Sequence, residues 1–286
     1  MKFLKRFCCA FSLCAGVAFA KEDPSMLKNL KTAKVEINGV RGIEKFTFTS
    51  PLDGVEDFAL ALAPKHASKT GIWIVNLHGH GSNGDQLFTR KDMKDTWLPA
   101  MIDGGYGILA PNLRGNSWMS EAAAKDLQTL LRLVRERYGV KGFIFVGGSM
   151  GGTSCLIYAS LHPEDVMACV ALCPATDLPS YREFCGKGGM PILNEIAGAI
   201  DAAYPGGRNT LQAHSALVHA DALKMPLFIA HATSDPTIPV EQSRRLAKAM
   251  TRMPDFKYRE IPGGHNSPLP LMPEGLKWVT ERLQKK

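Results

Sequence analysis

Apolar positions along this chain recur in two spacings, which predict strands separated by helices. The residues at 72–77 are all apolar except Asn76 and do not alternate with polar residues, as is typical of a strand buried on both faces of a sheet. The stretch 121–138 instead repeats its leucines at helical spacing, and Gly139 follows as a helix stop. The chain therefore alternates between the two kinds of element for most of its length.

The predicted elements favour an α/β class with a mostly parallel sheet and helices on both of its faces. The predicted strands are 43–49, 57–63, 72–77, 106–110, 143–146, 166–172, 227–230 and 257–261, and the predicted helices are 85–102, 121–138, 150–161, 240–250 and 273–283. The first two strands follow each other without a helix, which predicts an antiparallel start to the sheet. The segment 174–225, after the sixth strand, reads as an irregular insertion or lid with one helix near 192–203, since the alternation resumes after it.

The first twenty residues have the three parts of an export signal. Lys2, Lys5 and Arg6 precede the apolar run 7–19, and Ala18-Phe19-Ala20 is a small-x-small cleavage site. The alternative is an uncleaved membrane anchor, but the run is shorter than the ~20 apolar residues that cross a bilayer. We therefore expect a signal peptide at 1–20, a single domain at 21–286 and a secreted or periplasmic protein with no membrane span after cleavage.

Composition narrows the function classes. The 286 residues are 45% hydrophobic, enough for one large core, and the net charge of +7 is not concentrated in any block, so a nucleic-acid partner is not expected. No CxxC pair exists, which excludes zinc-ribbon and thioredoxin-like sites. Cys173 and Cys185 flank a loop-like segment in a chain expected to be exported; they form either a disulfide or two free thiols.

The candidate nucleophile is Ser149, in the sequence Gly147-Gly148-Ser149-Met150-Gly151. This G-x-S-x-G string follows an apolar strand directly and opens a helix, which places the serine on a tight strand-to-helix turn. The alternative is a glycine-rich turn that binds phosphate. The dinucleotide spacing fails, however, because position 149 is not glycine, and no Walker lysine follows.

A serine hydroxyl needs a general base, and the base needs an acid to orient it. His265 follows the last predicted strand in a Gly-Gly-His sequence, at the strand ends where catalytic groups gather in open α/β sheets. Asp235 follows the strand 227–230 and is the expected acid. Asp177, after the preceding strand, is the alternative acid. For either residue, the non-catalytic interpretation is an ordinary aspartate in a turn.

The tetrahedral intermediate of acyl transfer needs an oxyanion hole. One donor is expected to be the backbone N–H of Met150, and the other the N–H of His80 or Gly81 in the loop His78-Gly79-His80-Gly81. A His-x-His metal site is the competing reading of that loop. The acid and further histidine that it requires are missing at positions 82 and 83, so no metal is expected.

Together these motifs resemble the α/β-hydrolase superfamily, over roughly residues 43–285. They are most similar to its exported esterase branch, which includes dienelactone hydrolases and feruloyl or acetylxylan esterases, and to the catalytic domain of prolyl oligopeptidases. The loop Pro111-Asn112-Leu113-Arg114-Gly115-Asn116 also resembles a P-x-x-R-G-x loop of the oligopeptidase-like members. The chain has no room for an oligopeptidase propeller, which favours ester over peptide substrates.

The resemblance implies hydrolysis of carboxylic esters through an acyl-enzyme on Ser149, with no cofactor. The partner is expected to be a small-molecule or carbohydrate ester. Two alternatives remain: a small serine peptidase of the prolyl-oligopeptidase type, and a non-catalytic binding protein on the same scaffold. The insertion holds apolar and aromatic side chains that either line a substrate pocket or pack onto the core, namely Tyr181, Phe184, Met190, Ile192 and Tyr204.

Overall fold

The secondary structure follows the predicted alternation of strands and helices. The computed structural model describes residues 27–64 and 71–285. Its strands are β1 (Lys28–Ile37), β2 (Val40–Thr49), β3 (Glu56–Leu62), β4 (Ile72–Leu77), β5 (Gly107–Pro111), β6 (Gly142–Gly148), β7 (Val166–Leu172), β8 (Leu227–Ala232) and β9 (Phe256–Ile261). Its α-helices are α1 (Gln86–Thr89), α2 (Lys91–Asp103), α3 (Glu121–Tyr138), α4 (Met150–Leu161), α5 (Leu178–Gly186), α6 (Pro191–Ala203), α7 (Gly207–Ala213), α8 (Glu241–Ala249) and α9 (Met272–Leu283).

All nine strands join one sheet in the order β1-β2-β3-β5-β4-β6-β7-β8-β9. The neighbouring pairs from β5 to β9 in this order are parallel, whereas β1 pairs antiparallel with β2, β2 with β3, and β3 with β5. The mostly parallel sheet and its antiparallel start are confirmed. Strand β1 was not predicted. It lies at the sheet edge with almost every side chain exposed, so no buried face imposes an apolar alternation on its sequence.

Each face of the sheet is covered by its own hydrophobic cluster, because successive side chains of a strand point to opposite faces. In β6, Phe143 and Phe145 pack with helices α3 and α4, whereas Ile144 and Val146 pack with α2 and α9. Every residue of β6 is buried. Burial on both faces is the physical reason that the central strands read as continuous apolar runs.

The insertion is more regular than its sequence indicates. Three helices, α5, α6 and α7, lie in the segment that was predicted to hold one. Helices α5 and α7 have only 9 and 7 residues, too few for a helical repeat to stand out in the sequence. The predicted helix 85–102 is likewise two helices, since Arg90 between α1 and α2 has an extended backbone.

The expected signal peptide at 1–20 lies outside the described residues. Within residues 27–64 and 71–285, no helix is both long and apolar enough to cross a membrane.

Of the two alternatives for Cys173 and Cys185, the disulfide is not formed. Both side chains are buried free thiols. Cys173 packs in the cluster with α2 and α9, whereas Cys185, on α5, packs in the cluster on the other face of the sheet. The chain that joins them therefore carries the two thiols into different parts of the core.

Helix α4 begins in close contact with the sheet. A Cβ atom added at Gly151 would overlap the backbone carbonyl of Leu77 at the end of β4, and one added at Gly147 would overlap the backbone of Gly151. Backbone atoms cannot swing aside as a flexible side chain can. Two of the glycines in the Gly147–Gly152 stretch are therefore required by packing.

We predict that Gly151→Ala lowers the free energy of unfolding by about 2–4 kcal/mol, because the methyl group must push α4 away from β4. Gly198→Ala is the matched control, since Gly198 is an exposed helix residue with open space around its Cα. That change should stabilise the protein by up to about 1 kcal/mol through helix propensity. Urea unfolding measures both, and equal effects of the two variants would contradict the packing argument.

Candidate active site

Ser149 occupies a sharp turn between β6 and α4. Its backbone has φ 57° and ψ −125°, a left-handed conformation that side-chain-bearing residues rarely adopt. The Ser149 N–H donates to the carbonyl of Leu172 at 2.8 Å, and the Ser149 carbonyl accepts from the Thr153 N–H at 2.9 Å. These bonds hold the strained residue, at a cost of about 1–3 kcal/mol, so that its side chain stands at the carboxyl end of the sheet.

The structure brings Ser149, His265 and Asp235 into one chain of hydrogen bonds. His265 Nε2 lies 2.8 Å from Ser149 Oγ, and His265 Nδ1 lies 2.7 Å from Asp235 Oδ2. A carboxylate can only accept, so the imidazole proton resides on Nδ1. Nε2 is then left as the acceptor for the serine hydroxyl, which is the arrangement that a general base needs.

Asp235 is buried, with 8% of its surface exposed, and both of its oxygens are occupied. Oδ1 accepts from the N–H groups of Thr237 and Ile238 at 2.8 and 2.9 Å. Burial raises the pKa of this carboxyl, but hydrogen bonds from His231 and His265 outweigh burial and hold the pKa well below its usual range. The carboxylate therefore stays ionised, and its position is fixed by the loop that follows β8.

His231 supports Asp235 and was not singled out in the sequence. Its ring is fully buried at the end of β8, and Nε2 lies 2.9 Å from the Ile238 carbonyl and 3.3 Å from Asp235 Oδ2. Nε2 faces two acceptors and therefore carries the proton, while Nδ1 accepts from the Ser243 hydroxyl at 2.7 Å. The available sequence clue was a histidine ending a buried strand four positions before the acid.

Asp177, the alternative acid, points elsewhere. Its Oδ2 accepts from Arg245 Nη1 of α8 at 2.6 Å, and its backbone carbonyl accepts from the Tyr181 N–H in the first turn of α5. The structure thus ties Asp177 to the surface of the insertion, away from the hydrogen bonds of His265.

The expected oxyanion loop follows β4, but one of its proposed donors is already used. The Gly81 N–H donates to Asn116 Oδ1 at 2.8 Å, so Gly81 is not a free donor and that assignment is wrong. The His80 N–H has no acceptor within the described part of the chain. The Met150 N–H is the first of α4 and has no partner inside the helix. His80 and Met150 remain the candidate donors.

The loop after β5 holds the oxyanion loop in place. The Asn112 carbonyl lies 2.8 Å from His78 Nε2, Asn116 binds Gly81, and Trp118 Nε1 lies 3.3 Å from His80 Nδ1. Besides Gly115, four residues of this loop that carry side chains have positive φ, namely Leu113, Arg114, Trp118 and Met119. Asn116 and Trp118 were not predicted to take part, because their contacts cross from one loop to another.

Arg114 fixes that strained loop to the sheet and to α3. Its Nε donates to Asp126 Oδ2 at 2.7 Å, its Nη1 to Asp53 Oδ2 at 2.6 Å, and its backbone N–H to Asp57 Oδ2 at 2.7 Å. Asp126 is 1% exposed, so the guanidinium compensates a buried charge. This is the arginine of the P-x-x-R-G-x sequence, and it acts on the site through the loop.

In the predicted oxyanion loop, both ring nitrogens of His78 and the Nδ1 of His80 are engaged in hydrogen bonds. Within the described residues, the side chains whose ligand atoms come within 4.8 Å of one another are Cys173, Asp235 and His265. Burial raises the pKa of the Cys173 thiol, which keeps it protonated, and Asp235 and His265 bind each other.

A pocket of about 200 Å³ opens beside Ser149 and His265. Helix α6 contributes Ile192 and Ile196 to one wall, and Met93, Trp97 and Leu269 form an apolar wall opposite. Of the five insertion side chains considered from the sequence, only Ile192 lines this pocket; Tyr181 and Tyr204 are buried, and Phe184 and Met190 pack against the same core.

A larger cavity, of about 630 Å³, lies near the β1–β2 turn, but the described residues that line it include no serine, cysteine, histidine or lysine.

Comparison with known proteins agrees with this geometry. A family model for the alpha/beta hydrolase fold matches residues 72–187, from β4 through α5. An esterase of Pyrococcus furiosus superposes with a TM-score of 0.60 at 17% identity, covering 93% of this chain and 95% of that one. Est1E from Butyrivibrio proteoclasticus superposes with a TM-score of 0.63 at 17% identity, covering 89% of this chain and 99% of that one. The chain has the α/β-hydrolase fold, as its motifs indicated.

One curated relative is a peptidase by name. Dipeptidyl aminopeptidase BIII from Pseudoxanthomonas mexicana is 24% identical over 197 residues, which are 63% of this chain. The chain spans only 26% of the length of that protein. This likeness concerns one part of a much longer polypeptide.

We predict that Asp235→Asn lowers turnover on the order of 10⁴-fold, because an amide no longer holds the Nδ1 proton and charge of His265. Asp177→Asn is the matched control and should leave turnover within about twofold, since it loses a partly exposed ion pair of about 0–1 kcal/mol. Steady-state kinetics on purified variants with unchanged circular dichroism provide the measurement. A larger loss in Asp177→Asn would move the acid to the end of β7.

Proposed function

We propose that this protein is a serine hydrolase that cleaves carboxylic esters through an acyl-enzyme on Ser149. The observation that carries the proposal is the hydrogen-bond chain from Ser149 Oγ through His265 to Asp235, with both links at 2.7–2.8 Å. A binding protein on this scaffold has no need of a strained serine aligned with a base. The geometry therefore favours catalysis over the non-catalytic alternative.

The first step follows from the positions of the protons. Ser149 Oγ attacks the ester carbonyl carbon while its proton passes to His265 Nε2, and Asp235 stabilises the imidazolium that forms. The carbonyl oxygen becomes an oxyanion, for which the N–H groups of Met150 and His80 are the proposed donors. His265 then protonates the departing alkoxide, and the acyl group remains on Ser149.

The second step reverses the roles of the same groups. A water molecule replaces the alcohol, His265 Nε2 takes a proton from it, and the resulting hydroxide attacks the acyl carbon. Collapse of the second tetrahedral intermediate returns the proton to Ser149 Oγ and releases the acid. Each step uses side chains and backbone amides of this chain.

The size of the pocket supports a small acyl or alkyl group beside the nucleophile. A volume of about 200 Å³ is below the roughly 300–1,000 Å³ of pockets that enclose drug-sized ligands, which fits a small group. Small-molecule esters, including acylated carbohydrates, are the proposed substrates.

The second candidate function is that of a serine peptidase, which the likeness to the dipeptidyl aminopeptidase favours. Export is a further part of the proposal and rests on the sequence of residues 1–20.

We predict that Ser149→Ala lowers ester turnover by about 10³-fold or more and abolishes labelling by a fluorophosphonate probe, which needs the hydroxyl as its nucleophile. Ser154→Ala is the control, since Ser154 lies in the same helix and is buried away from the pocket. It should be labelled and active like wild type. Labelling that persists in Ser149→Ala would remove Ser149 as the nucleophile.

We predict that esters are cleaved faster than amides of the same acyl group by orders of magnitude, because an amide nitrogen is a poor leaving group that requires a positioned acid. The measurement compares kcat/KM for p-nitrophenyl butyrate, butyryl p-nitroanilide and a dipeptidyl p-nitroanilide. If the dipeptidyl amide matches the best ester, the peptidase candidate replaces the esterase.

A further inference from the structure

The ring of His80 keeps one nitrogen without a hydrogen-bond partner. His80 lines the pocket beside Ser149, and its side chain is only 4% exposed. Its Nε2 is buried and makes no hydrogen bond with any described residue. A buried polar group without a partner is destabilising, so a site that retains one beside a pocket is suited to a ligand that satisfies it.

The other nitrogen of the ring determines what Nε2 can do. Trp118 Nε1, which can only donate, lies 3.3 Å from His80 Nδ1, so Nδ1 is the acceptor and Nε2 carries the proton. Burial lowers the pKa of His80, and the nearby Glu195 carboxylate opposes that change only in part. At neutral pH the ring is therefore an uncharged donor whose N–H is directed away from Trp118.

Glu195 places an acceptor next to this donor. It lies on α6 between Ile192 and Ile196, the two residues of that helix that line the pocket. Its Oε1 is 3.3 Å from His80 Nε2, without the alignment of a hydrogen bond, and its side chain is 61% exposed. The carboxylate of Glu195 and the N–H of His80 thus lie side by side next to the pocket, and of the two residues only His80 belongs to the pocket lining.

A hydroxyl group satisfies both partners, because it accepts from Nε2–H and donates to the carboxylate. An ammonium group could bind Glu195 but would leave the His80 donor unpaired. A carboxylate could accept from His80 but would be repelled by Glu195. Building on the proposed ester hydrolysis, we propose that His80 and Glu195 select esters that carry a hydroxyl group close to the scissile bond.

The bridging geometry requires a small movement of Glu195. A hydroxyl oxygen about 2.8 Å from both partners, with an angle near tetrahedral, separates them by between 4 and 5 Å, roughly 1 Å more than their present distance. The exposed Glu195 side chain can swing outward by that amount. His80 is held by Trp118 and stays in place, so the binding site is formed from one fixed donor and one adjustable acceptor.

The experiment uses two pairs of esters that differ by exchange of a hydroxyl for a methyl group. p-Nitrophenyl 3-hydroxybutyrate and 3-methylbutyrate place the change on the acyl side, and 2-hydroxyethyl and propyl butyrate place it on the alcohol side. In wild type, the hydroxylated ester of at least one pair should have a kcat/KM about tenfold higher or more. The pair that shows the preference identifies the side on which the hydroxyl binds.

Glu195→Met should reduce that preference to within about twofold, because methionine keeps the length of the side chain without an acceptor oxygen. Glu195→Gln keeps one acceptor oxygen and should retain part of the preference. Asn194→Met is the matched control, since Asn194 is likewise an exposed residue of α6, next to Glu195, but forms no ion pair with His80. It should keep the full preference.

The outcomes separate this inference from the proposed function. Equal kcat/KM within both pairs, or a preference that survives Glu195→Met, overturns the hydroxyl selection while ester hydrolysis stands. Failure of the enzyme to cleave any of the four esters, together with absent fluorophosphonate labelling, overturns both.

Discussion

The left-handed turn at Ser149 is the constraint on which the other features of the site depend. The turn stands where β6 meets α4, and it is held because α4 lies directly against the carbonyl of Leu77 while the Ser149 N–H reaches the neighbouring strand β7. Three adjacent strands therefore determine the position of one hydroxyl. A residue in this conformation persists only where surrounding contacts over-determine it, and here those contacts belong to the buried centre of the sheet.

The base and acid reach that hydroxyl from the loops after β9 and β8, whereas the oxyanion loop reaches it from β4. The acid loop is rigid because Asp235 accepts two backbone N–H groups and is supported by the buried His231. The oxyanion loop is rigid for a different reason, namely its attachment to the loop that Arg114 fixes to Asp53, Asp57 and Asp126. The reacting groups are thus supported by two separate polar networks, one on either side of Ser149.

The sequence predicted features that depend on local pattern or on chain order. The central strands were recognised because they are buried on both faces, and Ser149, Asp235 and His265 were proposed because each follows a strand that ends at the same edge of the sheet. Features set by contacts between distant segments were missed or mistaken. The exposed edge strand β1 has no apolar pattern, the Gly81 amide is occupied by Asn116 from another loop, and Cys173 and Cys185 lie on opposite faces of the sheet.

Tyr204 attaches the insertion to the loop after β5, which distinguishes the insertion from a hinged lid. At the end of α6, its buried hydroxyl lies 2.7 Å from the Trp118 carbonyl, and the indole N–H of the same Trp118 faces His80. The insertion and the pocket wall are consequently joined through Trp118, and swinging α6 away would break the hydrogen bond from Tyr204 to the residue that orients His80. With α6 in place, the motions open to the pocket wall are rotations of exposed side chains, which take picoseconds to nanoseconds, rather than the microsecond-to-millisecond opening of a hinged segment.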